Sequence, residues 1–339
     1  MDILIVHEVF YPNFVGGGEV IIFNLIKQME KLGHNIALAT SGIGTPKKYK
    51  GITITYICKN RFLLNLHFFK IAKLSKNFDF ILCTTYNAAI PSFIASLISK
   101  KPVSLIVLGS YGNKWLKIRG KLKGLIFMLI ERIIFLLPYK HLFALSNFSK
   151  EKLIKMGIKK SNISVSNPGM DWKSNKINFK IKKNQVLFAS RIDEQKGIKY
   201  LLKAASDNPG VKFIVAGTGR LDNFLKRNAP NNLEILGFID RNKLKSYYRD
   251  SLIFCLPSEG ETFGLAILEA MHYGCAIVST VPLDYEGIHL VKPDDLSIGI
   301  KKLINNPTLA KKYGKRNVVL SRKYTWETFA RNIEKELYY

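Results

Sequence analysis

The sequence predicts an α/β protein made of two doubly wound units, and three observations lead to this prediction. Short apolar runs alternate with amphipathic helical segments, which is typical of parallel sheets covered by helices. The alternation stops at a polar stretch rich in Lys and Asn, residues 171–184, and then begins again. The length of 339 residues also exceeds what one hydrophobic core usually holds, about 250–300 residues.

The first half begins with a strand, because Asp2–His7 is an almost continuous apolar run. Gly16–Gly18 follow in a short loop. Apolar residues at helical spacing from Ile21 to Leu32 then predict a helix that ends before Gly33. The remaining expected elements are strands at Asn35–Thr40, Phe80–Thr84 and Val103–Leu108, and a helix at Ala88–Ser99.

The second half repeats this pattern after the polar stretch, which we interpret as a linker. Strands are expected at Val186–Ser190, Lys212–Ala216, Leu233–Leu236, Ile253–Leu256 and Ala276–Ser279, and a helix at Gly197–Ala205. Ligands of such sheets bind at the carboxyl ends of the strands. The repeated pattern predicts a first domain at 1–170 and a second at 185–322, followed by a last segment at 323–339. We expect a cleft between the two domains.

The composition excludes several classes of protein. With 47% apolar and 23% charged residues the chain is not expected to be disordered. Four scattered cysteines do not form a zinc or disulfide pattern, so a reducing cytosol fits them best. The first residues lack the basic region of a cleavable signal peptide. The longest apolar stretch, Gly124–Pro138, contains Glu131 and Arg132 and is too short to span a bilayer.

The net charge of +27 is the strongest global signal. Residues 1–170 hold 24 basic and 7 acidic side chains, so this half carries +17. Such a field attracts nucleic acid, anionic lipid or phosphorylated ligands. A nucleic-acid-binding protein is one alternative, prompted by a pI near 9.8. No RRM, KH or zinc-finger signature is present, so no nucleic-acid partner is expected.

The strongest local signal is the segment Ser258–Ala270. It follows an expected strand and begins a helix, which places Glu261 in the loop and Glu269 about two turns into the helix. Carboxylates can accept two hydrogen bonds from a vicinal diol, as in a sugar or ribose. The backbone N–H groups at the helix start form an anion site, and they belong to Phe263, Gly264 and Leu265. The alternative is an acidic N-terminal cap with one solvated glutamate.

This segment resembles the E-x7-E element of retaining GT-B glycosyltransferases, especially glycosyltransferase family 4 (group 1). Other parts of the chain resemble the family in the same order, and they are Gly16–Glu19, Asn167–Asp171 (family "PNGVD"), Ser190–Gly197 (family "GR-x4-KG", with Ser190 for Gly), Gly217–Gly219 and Leu236–Phe238. The resemblance covers nearly the whole chain. It implies two Rossmann-like domains that face a central cleft, with a last helix at about Trp326–Tyr338 that crosses back to the first domain.

The resemblance also implies roles for individual residues. Arg191 and Lys196 would hold the donor diphosphate, Glu269 the ribose hydroxyls and Glu261 the transferred sugar. The catalytic residues are then Glu261, Arg191 and Lys196. The other donor-binding residues are Gly16, Gly17, Gly18, Gly237, Phe238, Phe263, Gly264 and Leu265, with Gly237 and Phe238 beside the nucleobase. From spacing alone, the basic pair could be solvated and the glycines a plain tight turn.

The implied chemistry is retaining transfer from a UDP- or GDP-linked sugar, without a metal or other cofactor. The chain has no Asp-x-Asp pair of the kind that metal-dependent glycosyltransferases use. It departs from the family at Leu108, where many relatives have a His, for which His7 or Ser110 could substitute. The loop Pro282–Gly287 is also shorter than usual. A catalytically silent sugar-nucleotide-binding protein is therefore an alternative, and a GT-B epimerase or phosphorylase another.

Two basic stretches point to the acceptor. Asn60–Asn77 and Asn113–Lys123 mix Lys and Arg with aromatic residues, and the apolar run Leu125–Leu137 follows the second. Such stretches suit an anionic membrane surface, although a core helix with a solvated basic side is the alternative. The prediction is a cytoplasmic, peripheral enzyme on the inner face of the cell membrane, with a glycan or a polyprenyl- or other lipid-linked acceptor.

Overall fold

The computed structural model describes residues 1–12, 16–43, 47–170, 177–285 and 287–338. The strands are β1 Asp2–Val9, β2 Asn35–Ser41, β3 Lys48–Tyr49, β4 Ile52–Cys58, β5 Phe80–Thr84, β6 Val103–Val107, β7 Leu142–Ala144, β8 Ile163–Val165, β9 Lys183–Ala189, β10 Lys212–Ala216, β11 Leu233–Gly237, β12 Ser251–Leu256, β13 Ala276–Ser279 and β14 Ile288–Leu290. The helices are α1 Gly17–Lys31, α2 Phe68–Ser75, α3 Ala89–Ser99, α4 Lys114–Arg119, α5 Lys121–Leu136, α6 Asn147–Lys155, α7 Ile198–Ser206, α8 Asp222–Asn228, α9 Arg241–Asp250, α10 Leu265–His272, α11 Leu296–Ile304, α12 Pro307–Ser321 and α13 Trp326–Tyr338.

The chain divides into two α/β units. The first comprises Met1–Gly169 and Trp326–Tyr339, and the second Met170–Thr325. Within the described residues, the first sheet has the strand order β3-β4-β2-β1-β5-β6-β7-β8 and the second β11-β10-β9-β12-β13-β14. The strand pairs are parallel apart from β3 and β4. The predicted α/β class with doubly wound parallel sheets is confirmed.

In the first unit, β1 is central because its apolar run is buried on both sides, between β2 and β5. Helix α1 buries one apolar side on the sheet, as its spacing predicts. Helix α13 belongs to this unit: His34 and Glu334 lie 2.8 Å apart (Nε2 to Oε1), and the Ser166 hydroxyl donates to the Phe329 carbonyl at 2.7 Å.

In the second unit, β9 occupies the corresponding central position, between β10 and β12. Its buried side chains, such as Leu187 and Phe188, form the core with those of the two neighbouring strands. In both sheets, the next strands of the chain lie on one side of the central strand and the later ones on the other, so the strand order reverses at the central strand. Such a switch point opens a crevice at the carboxyl ends of the strands.

The structure differs from the expected elements at several positions. Helix α1 begins at Gly17, so Gly17 and Gly18 are its first residues and not part of a loop. Strand β9 begins at Lys183, inside the expected linker 171–184, because its polar first residues still pair with β12. Residues 171–176 lie outside the described residues, and with them the last residue of the "PNGVD"-like segment. Strands β3, β4, β7, β8 and β14 were not expected. Four of them have only two or three residues, which show no periodicity, whereas β4 was missed although its apolar and polar residues alternate.

Across the described residues, no helix combines the length and the apolar character that crossing a membrane requires.

Candidate functional site

The expected donor residues of the second unit follow two adjacent strands. Arg191 comes directly after β9, and the segment from Ser258 to Gly264 comes after β12, which pairs with β9. Because parallel strands end at the same edge of a sheet, both segments lie at the carboxyl edge.

Lys196 and Glu261 are in direct contact. The Lys196 Nζ lies 2.6 Å from the Glu261 Oε2, and both side chains are about 85% buried, with 15% and 16% exposed. An ammonium group has three N–H donors, so Lys196 keeps donors for a phosphate. The two residues are 65 positions apart, and the sequence does not predict their pairing.

Gly197 makes this contact possible. Its φ is +73°, and a Cβ there would lie 1.8 Å from the Pro257 carbonyl oxygen. The Glu259 N–H also donates to the Gln195 carbonyl at 2.9 Å. The turn that carries Lys196 is therefore packed against the end of β12, and this requires a residue without a side chain.

Arg191 is held loosely and stays accessible. Its Nη1 lies 3.4 Å from the Asp193 Oδ2, and 61% of its side chain is exposed. The surrounding backbone is tightly packed, since a Cβ on Gly217 would lie 1.9 Å from the Ser190 carbonyl oxygen. The Ile192 N–H donates to the Thr218 carbonyl at 3.1 Å. The guanidinium thus extends from a rigid segment with donors available for an anion.

Glu269 is positioned by two residues of α9. Its Oε1 accepts from Arg241 at 2.5 Å and its Oε2 from the Tyr248 hydroxyl at 3.0 Å, and the side chain is only 15% exposed. Burial, and then the neighbouring carboxylate, hold the pKa of Tyr248 well above its ordinary value, so the phenol remains a donor. Each oxygen of Glu269 keeps a second acceptor position, which a pair of hydroxyls can use.

The start of α10 has free N–H groups. Gly264 has a φ of +79° and accepts from the N–H groups of Ile267 and Leu268. Among the described residues no acceptor takes the N–H groups of Phe263, Gly264 and Leu265. The Phe263 side chain itself is buried, against Tyr285 and Tyr324.

These contacts decide between the two interpretations of the segment Ser258–Ala270, which are a sugar- or ribose-binding site and an acidic helix cap with one solvated glutamate. The Glu261 carboxylate makes no cap of α10 and bonds to Lys196 instead, and Glu269 is buried and doubly bonded. The acidic cap with a solvated glutamate is therefore wrong. Gly237 and Phe238 lie at the end of edge strand β11, where 78% of Phe238 is exposed. Their place beside a nucleobase stays a prediction.

The glycines of the first unit lie beside His7 and Leu108. Gly16 is the N-cap of α1, and Gly17 is the first residue of that helix. A Cβ on Gly18 would lie 3.3 Å from Leu108 Cδ1 and 3.6 Å from His7 Cε1, so this glycine packs against both side chains.

His7 is buried in the middle of a small polar cluster. Its Nδ1 lies 2.8 Å from the Thr84 Oγ1, and its Nε2 lies 3.4 Å from the Glu19 Oε1 without hydrogen-bond geometry. Ser110 is also buried, and its hydroxyl has no hydrogen-bond partner among the described residues. Both proposed substitutes for the missing His are thus present in this unit, with unused polar atoms.

The residues that position Glu269 were not predicted from the sequence. Arg241 and Tyr248 contact Glu269 from another helix, and the spacing of residues along the chain does not predict such a contact. The described residues contain no group of three or more His, Cys, Asp or Glu side chains that could hold a metal ion. A cavity of about 550 Å³ on the second unit, beside Phe179 and Lys315, includes none of the expected donor residues.

Comparisons with known proteins identify the family. A model described as Glycosyltransferase Family 4 matches residues 15–173, and one described as Glycosyl transferases group 1 matches residues 170–318. Together they cover residues 15–318. The chain therefore belongs to the group 1, family 4-type glycosyltransferases, as the resemblance indicated.

Individual relatives agree with this assignment. An uncharacterised glycosyltransferase of Methanocaldococcus jannaschii is 24% identical over 97% of this chain and 95% of its own. A phosphatidyl-myo-inositol mannosyltransferase of Mycobacterium tuberculosis is 31% identical over 44% of this chain and 45% of its own. The crystal structure of Anabaena Alr3699/HepE in complex with UDP-glucose matches with a TM-score of 0.79 at 18% identity, over 100% of this chain and 99% of that chain. The fold is GT-B.

Proposed function

We propose that this glycosyltransferase moves a hexose from a UDP- or GDP-linked donor to a glycan or lipid-linked hydroxyl, with retention of configuration and without a bound metal. The observation that carries the proposal is the arrangement at the ends of β9 and β12. There Arg191 and Lys196 supply cations, α10 supplies free N–H groups, and Glu269 supplies a preorganised carboxylate.

This arrangement suits a nucleoside diphosphate leaving group. Negative charge builds up on the diphosphate as the glycosidic bond breaks, and fixed cations and N–H groups stabilise it without reorganisation. Arg191 and Lys196 would take the part that a metal ion plays in other glycosyltransferases. Glu269 would accept hydrogen bonds from the ribose diol. Glu261, next to Lys196, would bind a hydroxyl of the transferred sugar.

The donor and acceptor classes draw support from relatives and from the surface. HepE was crystallised with UDP-glucose, and one relative is named for phosphatidyl-myo-inositol, a membrane lipid. Residues 1–170 carry a net charge of +17, and exposed aromatic side chains such as Phe62 and Phe69 interrupt the basic stretch before α3. A lipid-linked acceptor at the inner, anionic face of the cell membrane fits this surface.

The first test is calorimetric titration of UDP and of GDP into the protein in the presence of EDTA. One nucleotide is expected to bind, and Arg191→Ala and Glu269→Ala are each expected to weaken it at least about tenfold. Arg249→Ala and Glu234→Ala are matched controls, because both side chains are exposed and outside the site. Absence of binding, or equal losses in the controls, would contradict the assignment of the site.

A second test separates the enzyme from a silent binder. The packing of Leu108 against Gly18 is the observation that favours a silent binder, because no imidazole occupies that position. An active enzyme slowly hydrolyses its donor even without an acceptor, and NMR of the released sugar shows its first-formed anomer. The α-anomer from an α-linked donor is expected. The β-anomer would refute retention, and binding without any turnover would favour the silent binder.

A further inference from the structure

Helix α5 is apolar on two opposite sides. Its inward side packs into the first unit through Gly124, Ile134 and Phe135, and it also carries the buried Glu131. Its outward side is exposed, with 76% of Leu122, 60% of Leu129 and 47% of Ile133 accessible. A helix of a soluble protein normally has polar residues on its outward side. This one has large aliphatic residues instead.

The outward residues form one continuous stripe with basic edges. At about 100° per residue, the exposed aliphatic positions lie within a sector about 140° wide, and they are Leu122, Leu125, Ile126, Leu129, Ile130, Ile133 and Leu136. Lys123 flanks the sector on one side, and Lys121 and Arg132 flank it on the other. The carboxylate of Glu131 points to the opposite, buried side.

Helix α4 packs against the inward side of α5. A Cβ on Gly124 would lie 2.6 Å from the Trp115 carbonyl oxygen, so α4 and α5 are in backbone contact. Helix α4 carries three basic residues, Lys114, Lys117 and Arg119, which add to the positive charge of the first unit. The outward side of α5 is therefore an apolar stripe with Lys123 at one border and Lys121 and Arg132 at the other.

The charge decides which partner fits the stripe. A second copy of this chain would bring the same +17 half against itself, and the two would repel each other. An anionic bilayer offers the opposite charge at its surface and a hydrocarbon interior for the stripe. Lys and Arg at the borders can extend their heads to the lipid phosphates while their stems stay apolar.

We propose that the outward side of α5, residues 121–136, is the surface by which the first unit docks on an anionic lipid bilayer, with the helix lying in the plane of the interface. The inference deepens the proposed function, since docking of this kind serves a lipid-linked acceptor. Its test does not depend on donor binding.

The test is sedimentation with vesicles of phosphatidylglycerol and phosphatidylethanolamine in equal parts, beside vesicles of phosphatidylcholine alone. The wild-type chain is expected to bind the anionic vesicles, less so at high salt, and the neutral ones weakly. Leu129→Glu with Ile133→Glu is expected to lower the partition coefficient at least about tenfold. The matched control is Ile298→Glu with Val319→Glu, which changes two equally exposed aliphatic residues of the second unit.

Each outcome has one meaning. Urea unfolding followed by the fluorescence of Trp115, which contacts Glu131 of α5, shows whether the α5 variant is folded. A folded variant that sediments like the wild type overturns the proposal. So does a wild-type chain that fails to bind anionic vesicles at low salt. Wild-type dimers in analytical ultracentrifugation that the α5 variant abolishes, with no vesicle binding, would assign the stripe to a second copy. Vesicle binding without nucleotide binding would contradict the proposed function and leave the docking surface standing.

Discussion

Glu131 is the residue whose loss should damage the first unit most. Its carboxylate is 1% exposed and accepts four hydrogen bonds. Oε1 accepts from the Tyr86 hydroxyl at 3.1 Å and the Tyr111 N–H at 2.7 Å. Oε2 accepts from the Gly112 N–H at 2.7 Å and the Trp115 indole at 2.8 Å. It therefore fastens α5 to the segment that leads from β6 into α4.

The substitution Glu131→Gln keeps the shape and replaces one oxygen by an NH2 group. Two of the four donors then meet another donor and lose their acceptor inside the protein. Hydrogen bonds to a charged group contribute about 1.5–3 kcal/mol each, and relief of the buried charge offsets part of their loss. We expect the free energy of unfolding of the first unit to fall by about 3–5 kcal/mol.

Urea unfolding followed by tryptophan fluorescence measures this loss. The chain has three tryptophans, and a Trp172→Phe background leaves Trp115 and Trp326, which both belong to the first unit. Arg132→Gln, at the exposed neighbour on the same helix, is the control and should change the free energy by about 0.5 kcal/mol or less. A loss under about 1 kcal/mol for Glu131→Gln would refute the reasoning, because it would mean that the four donors are satisfied without the carboxylate.

Three other predictions follow from the structure. Gly197→Ala should lower the free energy of unfolding of the second unit by about 2–4 kcal/mol and abolish nucleotide binding, because its Cβ would overlap a carbonyl oxygen. Thermal unfolding measures the first effect and calorimetry the second, and Gly210→Ala, where a Cβ meets open space, should change neither. Tyr248→Phe should raise the Kd for whichever of UDP and GDP binds about three- to tenfold, since Glu269 keeps only one of its two positioning bonds. An unchanged Kd in calorimetry would show that the hydroxyl does not position the carboxylate. Burial lowers the pKa of His141, so the folded first unit binds fewer protons than the unfolded chain, and its stability should decline as the pH falls through about 6.5. His141→Asn should reduce the change in the urea midpoint between pH 7 and pH 5. An equally steep pH dependence in the variant would exclude this residue as the cause.

Where local pattern carries information, the sequence predicts the fold well. The strands Phe80–Thr84, Lys212–Ala216 and Ala276–Ser279 were predicted with the bounds that the structure has, because each is a short buried run between turn residues. The three-residue strands β7, β8 and β14 were missed because so few residues show no periodicity, and the longer β4 was missed although its residues alternate. The start of β9 was missed because polar residues at a strand end look like a linker.

The family, the two α/β units and the order of the donor segments are determined by the sequence, because short motifs and periodicity are local properties of the chain. Only the tertiary structure decided which side chains meet. Lys196 meets Glu261, and Glu269 meets Arg241 and Tyr248, across 21 to 65 positions of sequence. The same holds for α5: its sequence is apolar on two opposite sides, and which of them is exposed depends on the elements that pack against the helix. Such contacts arise from the packing of distant segments, so no window of sequence contains them.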